Sequence, residues 1–262
     1  MQENCLRNYS SECSVQFDLL IFGISFVAAF LFSLGGIGAA IILIPILISL
    51  GIPINTAKPV GLFTNIVGML GASINNIKNK RLDFRLGIPI ILFSFIFAIV
   101  GAYLTKYIPS KTVLFLFVGF LLFSGFIFLL NKKNEQEEYR KDTPYFPLSL
   151  IGAFAGLLSG LLGIGGGAII SPLLLMLGLN PKKSAAVTAF VVPFSSLAGF
   201  ITYWMMGAVN WHIISIAATA GIFGSTTGTI FMQNKLNPRT VKKILAIILL
   251  IMATKLIISN IL

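Results

Sequence analysis

Two apolar segments of this chain are interrupted in the same way, and the interruptions limit its possible folds more than any other feature. Leu161 to Gly178 reads LLGIGGGAIISPLLLMLG, with five glycines, one proline and no charge. Ser33 to Gly51 reads SLGGIGAAIILIPILISLG, and its Gly36, Gly38, Pro45 and Gly51 match Gly163, Gly165, Pro172 and Gly178 at one constant offset. A run of about 18 apolar residues reads as a membrane span, yet consecutive glycines weaken a helix and expose backbone that lipid cannot hydrogen-bond. The glycine stretches must therefore face protein or a polar ligand, and the chain is an internal duplication.

The surroundings place that duplication in a bilayer. Of 262 residues, 56% are hydrophobic and 10% charged, with a mean hydropathy of +0.95, which describes a polytopic membrane protein. The net charge of +11 lies in short basic clusters between apolar runs, the pattern of topology signals and not of a nucleic-acid surface. The stretch from Met1 to Asp18 is polar and reads as an extracytoplasmic tail, with no cleavable signal peptide evident. Cys5 and Cys13 fall in that tail, where a disulfide would require an oxidising compartment. There is no Cys/His cluster for a metal and one histidine, His212. The sequence thus implies no cofactor, and without an acid–base pair in the spans it implies no enzyme.

Apolar segments run from Leu19 to Leu34, Ala39 to Leu50, Thr56 to Ile77, Phe84 to Lys106 and Lys111 to Asn131. The second series covers Phe146 to Leu162, Gly167 to Leu179, Ser184 to Met206, Trp211 to Met232 and Thr240 to Leu262. The organisation is a tail (1–18), a first transmembrane repeat (19–131), a charged linker (132–144) and a second repeat (145–262). The fold class is all-α integral membrane. The first two segments of each half are too short to cross a core of about 30 Å, so each pair makes either one kinked crossing or a re-entrant helical hairpin. Charge separates these readings. With hairpins, each half makes three crossings and the second half is inverted. Lys78, Lys80, Arg81 and Arg85, then Lys132, Lys133, Arg140 and Lys141, then Lys182 and Lys183, then Lys235, Arg239, Lys242 and Lys243 share one face, which is 14 of the 19 basic residues. With single crossings they divide almost evenly. The sequence therefore predicts an inverted-topology repeat in the cell inner membrane, both termini outside and the basic loops in the cytoplasm.

A half-helix that begins at mid-membrane presents unpaired N–H groups and the positive end of its dipole. Ala39 to Leu50 and Gly167 to Leu179 both begin so, each after a G-x-G turn, and together they form a candidate anion site built from backbone. The competing reading is that the glycines only permit close helix packing. The candidate substrate-binding residues are Gly35, Gly36, Gly38 and Ala39 in the first copy and Gly163, Gly165, Gly166 and Gly167 in the second. Pro45 and Pro172 follow them, and Thr64, Asn65, Thr188, Ser195 and neighbouring Ser196 offer neutral donors from the next helices. Lys58 and Lys255 either serve an anion path or snorkel to an outer end. The spans hold no Asp or Glu away from their ends, so a cation pump lacks its usual ligands.

The paired GGIGAAIILIPILISLGIP and LGIGGGAIISPLLLMLGL, their spacing and the chain length resemble the TauE/SafE sulfite exporter family, also called the toluene-sulfonate uptake permeases. The resemblance covers nearly the whole chain after Asp18. It implies transport of sulfur-containing anions such as sulfite, sulfonates or sulfoacetate. Where family members often carry a V-G-T-S-like stretch after each hairpin, this chain has Val60-Gly61-Leu62-Phe63 and Val187-Thr188-Ala189-Phe190. The resulting expectation is a secondary transporter, an exporter of small sulfur oxyanions. It would work by alternating access around a midplane anion between Gly35–Gly38 and Gly163–Gly167, with a proton or counter-anion as coupling partner. An anion channel, or an uptake permease for another small organic anion, is the alternative. Oligomeric state stays open.

Overall fold

A computed structural model describes residues 11–104, 107–108, 112, 115, 118–123, 125–126, 142–207 and 209–260. Most of the segment from Lys111 to Asn131, residues 132–141 of the linker, and Cys5 with its candidate bridge lie outside the described residues. The regular elements among the described residues are helices: α1 (Ser11–Ser33), α2 (Ala40–Ser49), α3 (Ile54–Lys78), α4 (Phe84–Leu104), α5 (Tyr145–Leu162), α6 (Gly167–Met176), α7 (Pro181–Met205), α8 (Trp211–Lys235) and α9 (Pro238–Asn260). Six of them, α1, α3, α4, α5, α7 and α8, contain stretches long and apolar enough to cross a membrane.

The duplication extends to backbone conformation. Helices α2 and α6, α3 and α7, and α4 and α8 start at the same offset that separates Gly36 from Gly163. The left-handed glycines pair in this register too: Gly36 with Gly163, Gly38 with Gly165, Gly51 with Gly178, and the left-handed Lys80 with Gly207. Such φ values strain any residue with a Cβ, which is why glycine occupies seven of these eight positions.

One expectation needs correction. The first segment of each half is not a half-helix: α1 has 23 residues and α5 has 18. The polar stretch from Ser11 to Asp18 carries no proline or glycine, so α1 continues through it, and polarity there set no helix boundary. Only α2 and α6, with ten residues each, are half-length, about 15 Å at 1.5 Å per residue.

The helices interlock across the halves. Gly152, Gly156 and Gly160 of α5 lie against the backbone of Ile90, Ser94 and Ala98 of α4, while Gly224 and Gly228 of α8 lie against Phe26 and Phe30 of α1. This is small-residue packing at four-residue spacing, which lets membrane helices touch backbone to backbone. The constant register of both contacts makes α4 run with α5, and α8 with α1. In α3 and α8, Thr64 meets Gly221, Gly68 meets Ser225, and Arg81 bonds Asn234 at 2.9 Å, so these also run together. Helices α3 and α7 are antiparallel: Lys58 meets Tyr203 near one end, and Ser73 Oγ donates to the Ala189 carbonyl at 2.9 Å towards the other.

Candidate functional site

At the centre of the α3–α7 crossing the two glycine turns meet. Gly167 lies against the Ile37 carbonyl, and Gly36 against the Ala185 carbonyl of α7. A Cβ on Gly38 would stand 2.6 Å from Asn65 Oδ1, and one on Gly165 would stand 2.6 Å from Asn65 Nδ2. The turns thus close on opposite ends of a single amide. Asn65, fully buried mid-way along α3, accepts from Ala40 N–H at 3.0 Å and donates to the Ile164 carbonyl at 3.2 Å.

That amide makes the turns chemically unequal. Ala40 is the first residue of α2, whose cap residue Ala39 has no side-chain acceptor, so Asn65 caps this half-helix from another element. The repeat equivalent of Asn65 is Val192, which has nothing to offer α6. Gly166 precedes α6 without a side-chain cap, and among the described residues no protein group accepts from the N–H of Gly165, Gly166, Gly167 or Ala168. Two hydroxyls lie beside them. Ser196 Oγ is 2.9 Å from a Cβ built on Gly165 and has no partner among the described residues, while Ser195 Oγ donates to the Val192 carbonyl of its own helix at 3.1 Å.

Lys58 stands at the same turn. Its side-chain carbons lie 3.0 Å from a Cβ built on Gly163, its Nζ donates to the Tyr203 hydroxyl at 3.3 Å, and that hydroxyl donates to the Gly160 carbonyl at 3.2 Å. It is only 8% exposed, so the snorkelling alternative does not describe it. Among the described residues no carboxylate pairs with it. A buried cation without a counter-charge is costly, and in a membrane helix it marks a functional position by default. The residue equivalent to Lys58 in the second repeat is Ala185. The cation therefore stands at the second turn only.

The remaining sequence candidates divide. Gly35 packs on Leu245 of α9. Thr64 donates to the Val60 carbonyl at 2.8 Å and packs on Gly221, so its hydroxyl is used within α3. Thr188 Oγ1, on α7, is buried without a partner among the described residues. Pro45 and Pro172 lie inside α2 and α6, beyond the turns, where they free a carbonyl one turn back. Tyr203 carries no mark in the sequence. Its partner Lys58 is far away along the chain, and its repeat equivalent is Asn76, so no repeat signal marks it.

Comparison with known proteins adds three findings. The profile of the family described as "Sulfite exporter TauE/SafE" matches residues 21–256. The chain is 28% identical to a "Probable membrane transporter protein" of Methanocaldococcus jannaschii over 89% of this chain and 92% of that one, and 27% identical to the "Probable membrane transporter protein YunE" of Bacillus subtilis over 93% and 97%. A shorter stretch, 38% of this chain and 24% of its counterpart, is 39% identical to "Sulfite exporter TauE/SafE family protein 6" of Arabidopsis thaliana.

Proposed function

The chain belongs to the sulfite exporter TauE/SafE family and is a membrane transporter, and on that premise we propose that it exports a small sulfur oxyanion by secondary transport. The observation that carries the proposal is the second turn. Among the described residues four backbone donors, Gly165 to Ala168, and the hydroxyl of Ser196 lie unpartnered at one helix start, and the stem of Lys58, a buried cation with no counter-charge among those residues, packs on Gly163 of the same turn with its ammonium on Tyr203. An oxyanion satisfies several such donors at once through charge-assisted bonds. Asn65 keeps the two turns together while they are closed.

The bilayer arrangement is an inverted-topology repeat in which the pairs α1–α2 and α5–α6 each enter and leave on one side as re-entrant hairpins, with both termini outside and the basic loops in the cytoplasm. The antiparallel α3–α7 pair supports this reading. So does the gathering of Lys80, Arg81, Lys182, Lys183 and Lys235 at the end where α3 and α8 finish and α7 begins. Alternating access then consists of parting the turns first to one side and then to the other. Single cysteines replacing Lys80 and Arg239 are expected to label from the same side, and labelling from opposite sides would refute the inversion.

The deciding experiment is flux of sulfite, sulfate and an alkyl sulfonate in proteoliposomes, with and without a proton gradient. Saturable sulfite flux that responds to the gradient or to a counter-anion is expected. Unsaturable conductance would make the protein a channel, and flux confined to another organic anion would remove sulfite as its substrate.

A further inference from the structure

We propose that the basic end of the bundle carries a second anion site, in series with the turn, that holds a free small oxyanion on its way to or from Gly165. The inference rests on the transport reading above, but its test separates the two. A cavity of about 710 Å³ opens where α3 and α8 end and α4 and α7 begin, and Lys80, Arg81, Arg85, Lys182, Lys183 and Asp83 are in its wall. Five cations thus face one hollow beside a single carboxylate.

Topology alone explains basic loops but not this convergence, because orienting a span requires only that charge lie in the loop. Here three of the five side chains are held in place. Lys182 Nζ donates to the Gln233 carbonyl at 2.8 Å, Lys183 pairs with Asp83 at 2.9 Å, and Arg81 Nη2 donates to Asn234 Oδ1 at 2.9 Å. Arg81 Nη1 is buried with no partner among the described residues. An arginine fixed through one nitrogen and unsatisfied at another suits an oxyanion.

The repeat supplies an internal control. The second-repeat equivalents of Lys80, Arg81 and Arg85 are Gly207, Ala208 and His212, while Lys182 and Lys183 correspond to Asn55 and Thr56 of the first. The equivalents of the five cations thus include no lysine or arginine, and the one histidine among them already faces Asp18 at 3.1 Å. The fold does not need five cations there.

Behind the hollow lies a polar lane. Ser184 and Thr188 follow Lys183 on α7, with Ser195 three helical turns beyond Ser184, so the three share one helix face. On antiparallel α3, Asn76 and Asn65 have the same spacing. Ser184 Oγ, Thr188 Oγ1 and both amide atoms of Asn76 are buried without partners among the described residues. Neutral donors of this kind can pass an anion along without trapping it.

The test is equilibrium dialysis of radiolabelled sulfite against the full chain in detergent. Wild type is expected to show two sites. The double variant Lys80→Gln/Arg85→Gln should weaken one by at least about tenfold, the scale of lost charge-assisted contacts. The charge-keeping Lys80→Arg/Arg85→Lys should retain it, and Lys58→Met should weaken the other. Unchanged binding in the glutamine variant overturns the second site, and so does loss in the charge-keeping one. Displacement by short-chain phosphatidylglycerol at lower concentration than by sulfite itself overturns it in favour of a lipid headgroup. A single wild-type site sensitive only to Lys80 and Arg85 leaves this inference standing and sinks the turn; one sensitive only to Lys58 does the reverse.

Discussion

Gly36 to Ala40 and Gly163 to Gly167 carry left-handed glycines at matched positions and open half-helices of equal length, yet their neighbours differ at every polar position. The first turn has Asn65 capping one N–H, that of Ala40, while those of Gly38, Ala39 and Ile41 have no partner among the described residues, and it has Ala185 beside Gly36. The second has uncapped N–H groups, Ser196 and Lys58. Duplication preserved the backbone because left-handed φ and close approach admit little but glycine. It left the contacting side chains free to diverge. One turn gained an amide cap and the other a buried lysine and a hydroxyl, so repeat symmetry alone does not fix the chemistry at either turn.

The largest expected effect separates the paired glycines. A Cβ on Gly36 would run into the Ala185 backbone, whereas one on Gly163 meets only the flexible stem of Lys58. Gly36→Ala should therefore give little folded protein. Gly163→Ala should fold with a loss of about 1–2 kcal/mol for its left-handed φ, as judged by monodispersity and thermal unfolding in detergent. Equal behaviour of the two would break the asymmetry at its root.

Asn65→Val makes the first repeat resemble the second. It leaves the Ala40 N–H and the Ile164 carbonyl buried without partners, about 1–3 kcal/mol for each, and the melting temperature should fall accordingly. The reciprocal Val192→Asn should instead reduce sulfite affinity, because its amide would compete for the donors of α6. A melting temperature for Asn65→Val equal to wild type would mean that the amide does not join the turns.

Lys58→Met tests the charge. Sulfite affinity should fall by roughly tenfold to a hundredfold, the scale of about 1.5–3 kcal/mol for a hydrogen bond to a charged group. Stability should hold or rise, since a buried cation without a counter-charge is replaced by an apolar side chain. Unchanged affinity would remove Lys58 from the site.

The smallest effect belongs to the Lys183–Asp83 pair, whose side chains are about a third exposed. Burial alone would raise the Asp83 carboxyl, but Lys183 and Arg85 outweigh it and hold the group below its usual value. A lowered carboxylate stabilises the fold above its ordinary pKa, and that contribution fades as pH falls through the lowered one. Asp83→Asn should change stability by less than about 1 kcal/mol near neutral pH and flatten the acid limb of the stability curve. A larger loss would make the pair structural and not incidental to the basic hollow.

Much of this protein is legible in its residues alone. Glycine spacing marks the duplication and the half-helices, because a left-handed turn and a broken span leave a compositional trace at fixed positions. Clustered lysines and arginines separate the two ends of the bundle, because charge stays out of hydrocarbon. The length of α1 is not legible, since a polar stretch without proline or glycine can extend a helix without changing its hydropathy signal. Nor is the use of each polar side chain. Asn65, Thr64 and Ser196 look alike as neutral donors in a sequence, yet one bonds two distant backbones, one its own helix and one nothing. Conformational need is written at the residue that must adopt it, which is why the membrane class, the repeat and both glycine turns can be read from the order of residues. Whether a polar group is satisfied depends on which element reaches it from far along the chain, as Asn65 reaches the Ile164 carbonyl. The chemical difference between the two turns therefore arises in the packing of α3 against α7 and has no signature in either turn's own residues.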